Sequence, residues 1–283
     1  MSRATLETLA VRCLADEVRL PKRARVLVAV SGGPDSMALL DVLARRGADL
    51  GVSVVAHGVD HGLRAEAAAE LDLAAALARA RDVPFGRTRV SVARGGNLQA
   101  RAREARWAAL RAAARDAKAR FIATAHHADD RAETVLLRVL RGAGPPGLGV
   151  LPPRDGDAIR PLIRARRADV EAHVARRGLH VADDPSNRDP RFLRARVRAE
   201  LLPLMAELDA RIVEHLCALA DALGRKGKKG PNGAYMYALP RPTQLALAAL
   251  ARNPDPRSRI LLPGGLVALH DPTQVGRRRD QRS

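Results

Sequence analysis

The 283-residue chain carries 49 basic against 31 acidic residues, a formal net charge of +18, and 44 of the basic residues are arginine. That balance favours a polyanionic partner, nucleic acid ahead of a membrane surface, and a 47% hydrophobic share with only 2% aromatics calls for a core of Ala, Leu and Val. Two distant cysteines, Cys13 and Cys217, exclude a disulfide framework, a zinc ribbon and an iron–sulfur cluster held by this chain alone; the want of a long apolar run or a signal-peptide core predicts a soluble, cytoplasmic protein with no membrane partner.

Leu6, Leu9, Cys13 and Leu20 sit at loosely helical spacing and predict an N-terminal helix that Pro21 ends. An alternation of strand and helix follows. RVLVAV (Arg25 to Val30) reads as a strand buried on both faces, Ser31–Ser36 as a loop, and the next stretch as a helix to about Arg46. VSVVAHGV is a second strand, followed by the turn DHGLR and an Ala-rich helix over Ala65 to Arg81. RTRVSV is a third strand, and LQARAREARWAALRAAARDA a helix with Asn97 as its N-cap. RFIATAHH is a fourth strand, leading into the helix DDRAETVLLRVLR, whose opening acids suit the helix dipole and of which Asp129 is the expected cap. Apolar strands in βαβα rhythm predict an α/β fold, a doubly wound parallel sheet with a smaller helical C-terminal region.

From Gly142 the character changes. GAGPPGLGVLPPR reads as a Gly/Pro loop without regular structure, then come IRPLI, the helix ADVEAHVARRG, the turn DDPSN, and the helices FLRARVRAELLPLM and DARIVEHLCALADAL. Residues 224–233 read as a flexible basic linker, followed by an apolar helix around Leu245 to Ala251, a hairpin in RILLPGGLVALHD and an Arg-rich tail. The expected divisions are an N-terminal helix over 1–21, the main domain over 22–205, and a small helical, substrate-binding region over 206–283.

The string S-G-G-x-D-S, from Ser31 to Ser36, stands where a doubly wound sheet binds ligands, beyond the carboxyl end of a strand. Gly32 and Gly33 allow close backbone approach, successive N–H groups can converge on one anion, and the following helix adds partial positive charge. Two glycines alone make an ordinary strand-to-helix turn; the whole string is far more specific. There is no lysine of the kind that marks G-x-x-x-x-G-K-(S/T) loops. Asp35 would repel phosphate, so it suits a magnesium ligand or a group facing a cation or amine beyond the phosphates, with helix capping as the plainer alternative.

The loop resembles the pyrophosphate (PP) loop of the N-type ATP pyrophosphatases, which cleave ATP between its α and β phosphates. Further stretches narrow the resemblance: VVAHGVDHGLR (54 to 64), NLQARAREARWAAL (97 to 110), IATAHHADDRAETVLLRVLRGAGPPGL (122 to 148), IRPLI, and DDPSNRDPRFLRARVR (183 to 198). In that order, over about Arg25 to Leu204, the chain resembles the tRNA(Ile)-lysidine synthetase family. It departs in having Arg194-Ala195 where the family often has Arg-Asn, and many members continue well beyond its C-terminus.

The resemblance implies a ligase that uses ATP and Mg2+. The wobble cytidine of the CAU anticodon of tRNA(Ile) is adenylated at its C2 oxygen, releasing pyrophosphate; the ε-amine of free L-lysine then displaces AMP. An amine whose ordinary pKa is about 10.4 must lose a proton before it attacks. Asp130 and Glu133, three apart at a helix start, share a face and match the family's lysine-recognition acids. Arg106 matches an arginine near the adenylate. Ser31, Gly32, Gly33, Pro34, Asp35 and Ser36 are expected to contact the nucleotide, with His57, Asp60, His61 and His126 beside it. His126 and His127 are neighbours that would point to opposite faces, which argues against zinc, and Trp107 is expected in the core. Residues 160 to 198 hold eleven arginines against five acids; Arg160, Arg164, Arg194, Arg196 and Arg198 are the candidates for tRNA phosphates, and Asn187 for the base. The family also suggests a homodimer. The alternatives are a thiolase-type or amidotransferase-type PP-loop enzyme, or a non-catalytic nucleotide-sensing RNA-binding protein.

Overall fold

The computed structural model describes residues 4–60, 62, 67–91, 98–182, 189, 191–224, 259–262 and 266–269. Asn97, His61, the DDPSN turn, the linker from residue 225, the 245–251 helix and the Arg-rich tail lie outside the described residues. The chain forms two compact units, Met1–Ala220 and Asp221–Ser283.

The first unit is built on six strands: β1 (Arg25–Val30), β2 (Ser53–Asp60), β3 (Phe85–Arg89), β4 (Phe121–Ala123), β5 (Arg154–Asp155) and β6 (Ala158–Ile159). Their order is β3-β2-β1-β4-β6-β5, parallel except for the antiparallel β5–β6 pair. The order reverses between β1 and β4, which makes their carboxyl ends the crevice of a doubly wound sheet. β1 is central because both of its faces are apolar. Val26, Val28 and Val30 enter one cluster with α1 (Leu6–Arg12), α2 (Pro34–Arg46), α3 (Ala67–Ala80) and α7 (Arg167–Arg177). Leu27 and Ala29 enter another with Leu110 and Ala114 of α4 (Leu98–Asp116), which Trp107 also joins. On α2, Met37, Leu39, Leu40, Val42 and Leu43 are all buried, each contributing about 1.5–3 kcal/mol by leaving water.

A third apolar cluster joins α5 (Ala128–Leu140), α9 (Leu202–Leu208) and α10 (Ile212–Gly224) through Ala132, Val135, Leu202, Val213, Leu216 and Ala220. Residues 206–220, assigned from sequence to the C-terminal region, thus share a core with α5. In the second unit, β7 (Arg259–Leu262) and β8 (Leu266–Leu269) form the expected antiparallel hairpin.

Several expectations are corrected. The third strand ends at Arg89, before Val90, and the fourth covers only Phe121–Ala123, because the chain turns away at Thr124 to begin the site. The Gly/Pro stretch is not structureless: Pro145–Leu148 forms a one-turn helix, α6, and Arg154–Asp155 adds an edge strand. Neither long terminal helix is plain α. α1 runs into a π-helical segment at Cys13–Val18, and α8 (Leu193–Arg196) joins α9 through another at Val197–Leu201. The second has a visible cause: Pro203 lacks an N–H and its ring crowds the carbonyl four residues back, so the turn widens and Leu202 N–H bonds to the Val197 carbonyl.

Candidate active site

The site is built from two loops that leave β1 and β4 on either side of the switch point. In the first, Ser36 Oγ accepts a hydrogen bond from Ser31 N–H at 3.1 Å and donates one to the Gly33 carbonyl at 3.0 Å. Gly32 has φ +82°, and a Cβ there would run into the backbone carbonyl of Glu70, so this bend requires glycine. Its carbonyl accepts from Ala182 N–H at 2.9 Å, tying the loop to a segment 150 positions away. Gly33 caps α2 and Pro34 occupies its first turn, where an absent N–H costs nothing. The first-turn N–H groups of Asp35 and Ser36 have no intrahelical acceptor and supply an anion cradle.

In the second loop Thr124 Oγ1 and His126 Nδ1 are 3.0 Å apart. Burial pushes His126 down to about 4, with Arg160, Arg106 and Arg194 lowering it further against the opposing charge of Asp130. A neutral imidazole among three arginines suits an anion. Burial likewise lowers Arg106 and Arg160 from the ordinary arginine range. Among the described residues Arg106 has no ion-pair partner, and the buried Arg160 Nε has no hydrogen-bond acceptor, although Arg160 donates through its terminal nitrogen to the Pro152 carbonyl at 2.7 Å.

α5 opens with a cap the sequence reading missed. His127, not Asp129, is the N-cap: its Nδ1 accepts from Asp130 N–H at 3.4 Å, and the Asp130 carboxylate accepts from His127 N–H at 3.2 Å. Asp129 faces α7 instead, accepting from the Arg166 guanidinium at 3.1–3.3 Å and from Arg167 N–H at 2.7 Å. Against the cost of burial, those donors hold the Asp129 carboxyl below its ordinary range. His127 and Glu133 are fully enclosed.

The two acids expected to hold an amine are occupied by guanidinium groups. Arg194 Nε donates to Glu133 at 2.8 Å and its terminal nitrogen to Asp130 at 3.1 Å. Arg198, one turn on along the same face, donates to Glu133 at 2.6 and 3.0 Å. Burial would raise Asp130, but the two histidines, Arg194 and the His127 N–H outweigh it and lower it. Asp35 behaves in the opposite way: burial raises its pKa, the nearby Asp130 charge adds to this, and His127, Arg167 and Arg198 offset only part.

The structure therefore brings together Ser31 to Ser36, Asp130, Glu133, His126, Arg194 and Arg198, with Arg106 and Arg160 within electrostatic reach of His126. Other expected residues are engaged with partners of their own. His57 Nε2 is 2.9 Å from Thr88 Oγ1 across β2 and β3, and Asp60 accepts from Gly62 N–H in its own turn. Arg164 forms a bidentate pair with Glu17, and Arg196 pairs outward with Glu200. The missed residues are His127, Arg166 and Arg167. His127 could have been found from the reciprocal spacing of a cap and an acid three positions later, had histidine been admitted among capping residues.

Comparison with known proteins places this geometry in a family. A PP-loop domain family matches residues 6–205. The tRNA(Ile)-lysidine synthase of Novosphingobium aromaticivorans is 41% identical over 225 residues, 77% of this chain and 68% of that one. That of Mycolicibacterium paratuberculosis is 41% identical over 261 residues, 87% and 77% respectively, and that of Ralstonia nicotianae 38% over 256 residues, 88% and 52%. The chain thus spans from about half to about three quarters of the length of these curated relatives. A solved U34-tRNA thiolase, NcsA from Methanococcus maripaludis, with its [4Fe-4S] cluster, aligns over 82% of this chain and 84% of that one at a TM-score of 0.65 and 16% identity, a likeness of fold. With the loop after β1, the acid pair on α5 and this level of identity in agreement, the chain belongs to the tRNA(Ile)-lysidine synthase family of PP-loop ligases.

Proposed function

We propose that this chain joins free L-lysine to C2 of the wobble cytidine in the CAU anticodon of tRNA(Ile), converting ATP to AMP and pyrophosphate, in the cytoplasm. The observation that carries this reading is that a phosphate-type loop and a buried acid pair face one crevice across the β1/β4 switch point. The loop N–H groups and the Ser31 hydroxyl hold the departing pyrophosphate. Arg106 and Arg160 form a positive wall against which charge on the transferred phosphoryl group is stabilised, with the neutral His126 ring as a hydrogen-bonding neighbour. Asp35 fits a hard dication: its carboxylate feels the charge of Asp130, and among the described residues it makes no hydrogen bond. Mg2+ held there would neutralise phosphate charge.

Asp130 and Glu133 serve the second step. They hold the lysine ammonium, and one carboxylate accepts its proton as the ε-nitrogen bonds to C2 and AMP departs with the electrons of the C2–O bond. For that, Arg194 and Arg198 must release at least part of their grip, which suits arginines that exchange carboxylate for phosphate. Arg196 and the α8–α9 surface then meet the tRNA backbone. The test is to incubate the protein with ATP, labelled lysine and unmodified tRNA, then digest and analyse nucleosides by mass spectrometry. Lysidine is expected; pyrophosphate release without lysine incorporation overturns the reading in favour of another acceptor.

A further inference from the structure

His127 is enclosed by the protein, yet its Nε2 has no hydrogen-bond partner among the described residues. The helix cap explains which nitrogen carries the proton. Nδ1 accepts from the Asp130 N–H, so Nε2 is the ring nitrogen that carries a proton. That nitrogen lies 3.5 Å from Asp130 Oδ2 and 3.7 Å from Asp35 Oδ1 and is hydrogen-bonded to neither. The two carboxylates are not equivalent. Asp130 already accepts from His127 N–H and from Arg194, whereas Asp35 makes no hydrogen bond among the described residues. An unsatisfied buried donor thus stands beside a carboxylate that is one-third exposed and makes no hydrogen bond among the described residues, and one belongs to the β4 loop while the other belongs to the phosphate loop.

We infer that His127 is a positioning residue for Asp35: on nucleotide binding its Nε2–H donates to Asp35 Oδ1 and fixes which carboxylate oxygen faces the phosphates. The inference rests on the ligase reading. Its chemical logic is that of a carboxylate held at one oxygen so that the other is aimed at a cation. The cap couples the two half-sites. Asp130 holds Nδ1 through its N–H, Nδ1 sets the tautomer, and the tautomer supplies the donor for Asp35.

The test separates capping from aiming. Asparagine caps helices well but is too short to carry a donor to the place of Nε2. In the full chain, His127→Ala is expected to melt below the parent, and His127→Asn to melt with it. Long-range 15N NMR of the parent is expected to show the ring proton on Nε2. In single-turnover assays of pyrophosphate release, His127→Asn is expected to lose about tenfold or more in kcat, the cost of one such hydrogen bond, with KM for tRNA within about twofold. Parent-like kcat in His127→Asn, or a ring protonated at Nδ1, overturns the inference. A parent that releases pyrophosphate without joining lysine overturns the ligase reading, and the comparison with His127→Asn still decides this inference. A parent that releases none overturns both.

Discussion

Two aspartates on α2, Asp35 and Asp41, each stand beside a buried histidine from another element, and the contrast between them separates architecture from chemistry. Asp41 is closed. Its carboxylate, wholly buried, lies 2.9 Å from His173 Nε2 and 2.7 Å from Arg81 Nε, with Arg177 at 3.5 Å, and His173 is in turn 3.3 Å from Arg176. Despite the cost of burial, those donors hold Asp41 below the ordinary carboxylate range. Asp35, little more than a turn and a half earlier, is open: its histidine is 3.7 Å away and its pKa is raised. Glu7 joins Asp41 and His173 in a group with metal-like spacing, but two arginines already neutralise the carboxylate there, so that cluster clamps α2 to α7. A carboxylate held by short hydrogen bonds marks the clamp, and a carboxylate with none among the described residues marks the reacting end of the helix.

The contrast breaks if the two aspartates respond alike to substitution. Asp35→Ala is expected to lower lysidine formation about 10³-fold or more while leaving the melting temperature unchanged or higher, as single-turnover assays and thermal melting would show. Asp41→Asn is expected to cost about 3 kcal/mol of stability by taking the carboxylate from the part-buried Arg81 and Arg177 and the buried His173, measured by urea unfolding, with activity per folded molecule retained. The histidine of the second loop sharpens the picture through pH. His126 titrates near 4 in the folded chain, against an ordinary value of 6.5, so the unfolded state takes up the proton first as pH falls. Stability on the order of 2–3 kcal/mol is therefore lost between about pH 6.5 and 4, and His126→Asn should flatten that part of the unfolding profile. Gly32→Ala, which forces a side chain onto a positive φ against the Glu70 backbone, should cost about 2 kcal/mol in the same measurement. Arg196→Ala comes last. Its exposed pair with Glu200 predicts no measurable change in melting, and at most about one unit off the salt slope of tRNA binding.

The phosphate loop was legible because its chemistry lies in the backbone. A Val-rich strand, two glycines and a serine at the right offset specify it locally, and Ser36 closes it within six residues. The doubly wound parallel sheet followed from the βαβ rhythm of its apolar strands. What depends on distant side chains was not legible. Arg194 and Arg198 read as free cations for phosphate because nothing in the run LRARVR shows that it folds against Glu133, 61 to 65 positions earlier. Asp129 read as a cap because it opens the acidic run, whereas Arg166, 37 positions on, competes for it. Pro203 lies inside the stretch FLRARVRAELLPLM read as one helix; the helix does continue past it, but through a widened turn that the sequence did not show, with Val197 and Leu202 buried in one cluster.

The ring of arginines around Asp129, Asp130 and Glu133 carries one more implication. Each guanidinium there already faces a carboxylate, so an incoming phosphate competes with an acid as well as with water, and an incoming ammonium competes with a guanidinium. A lone cation would have to evict an arginine that has no new anion to meet; a lone anion would strand a carboxylate. Ligands of opposite sign that arrive together can trade places with the internal pairs, which tilts the crevice toward filling with its nucleic acid and its amino acid as a matched set.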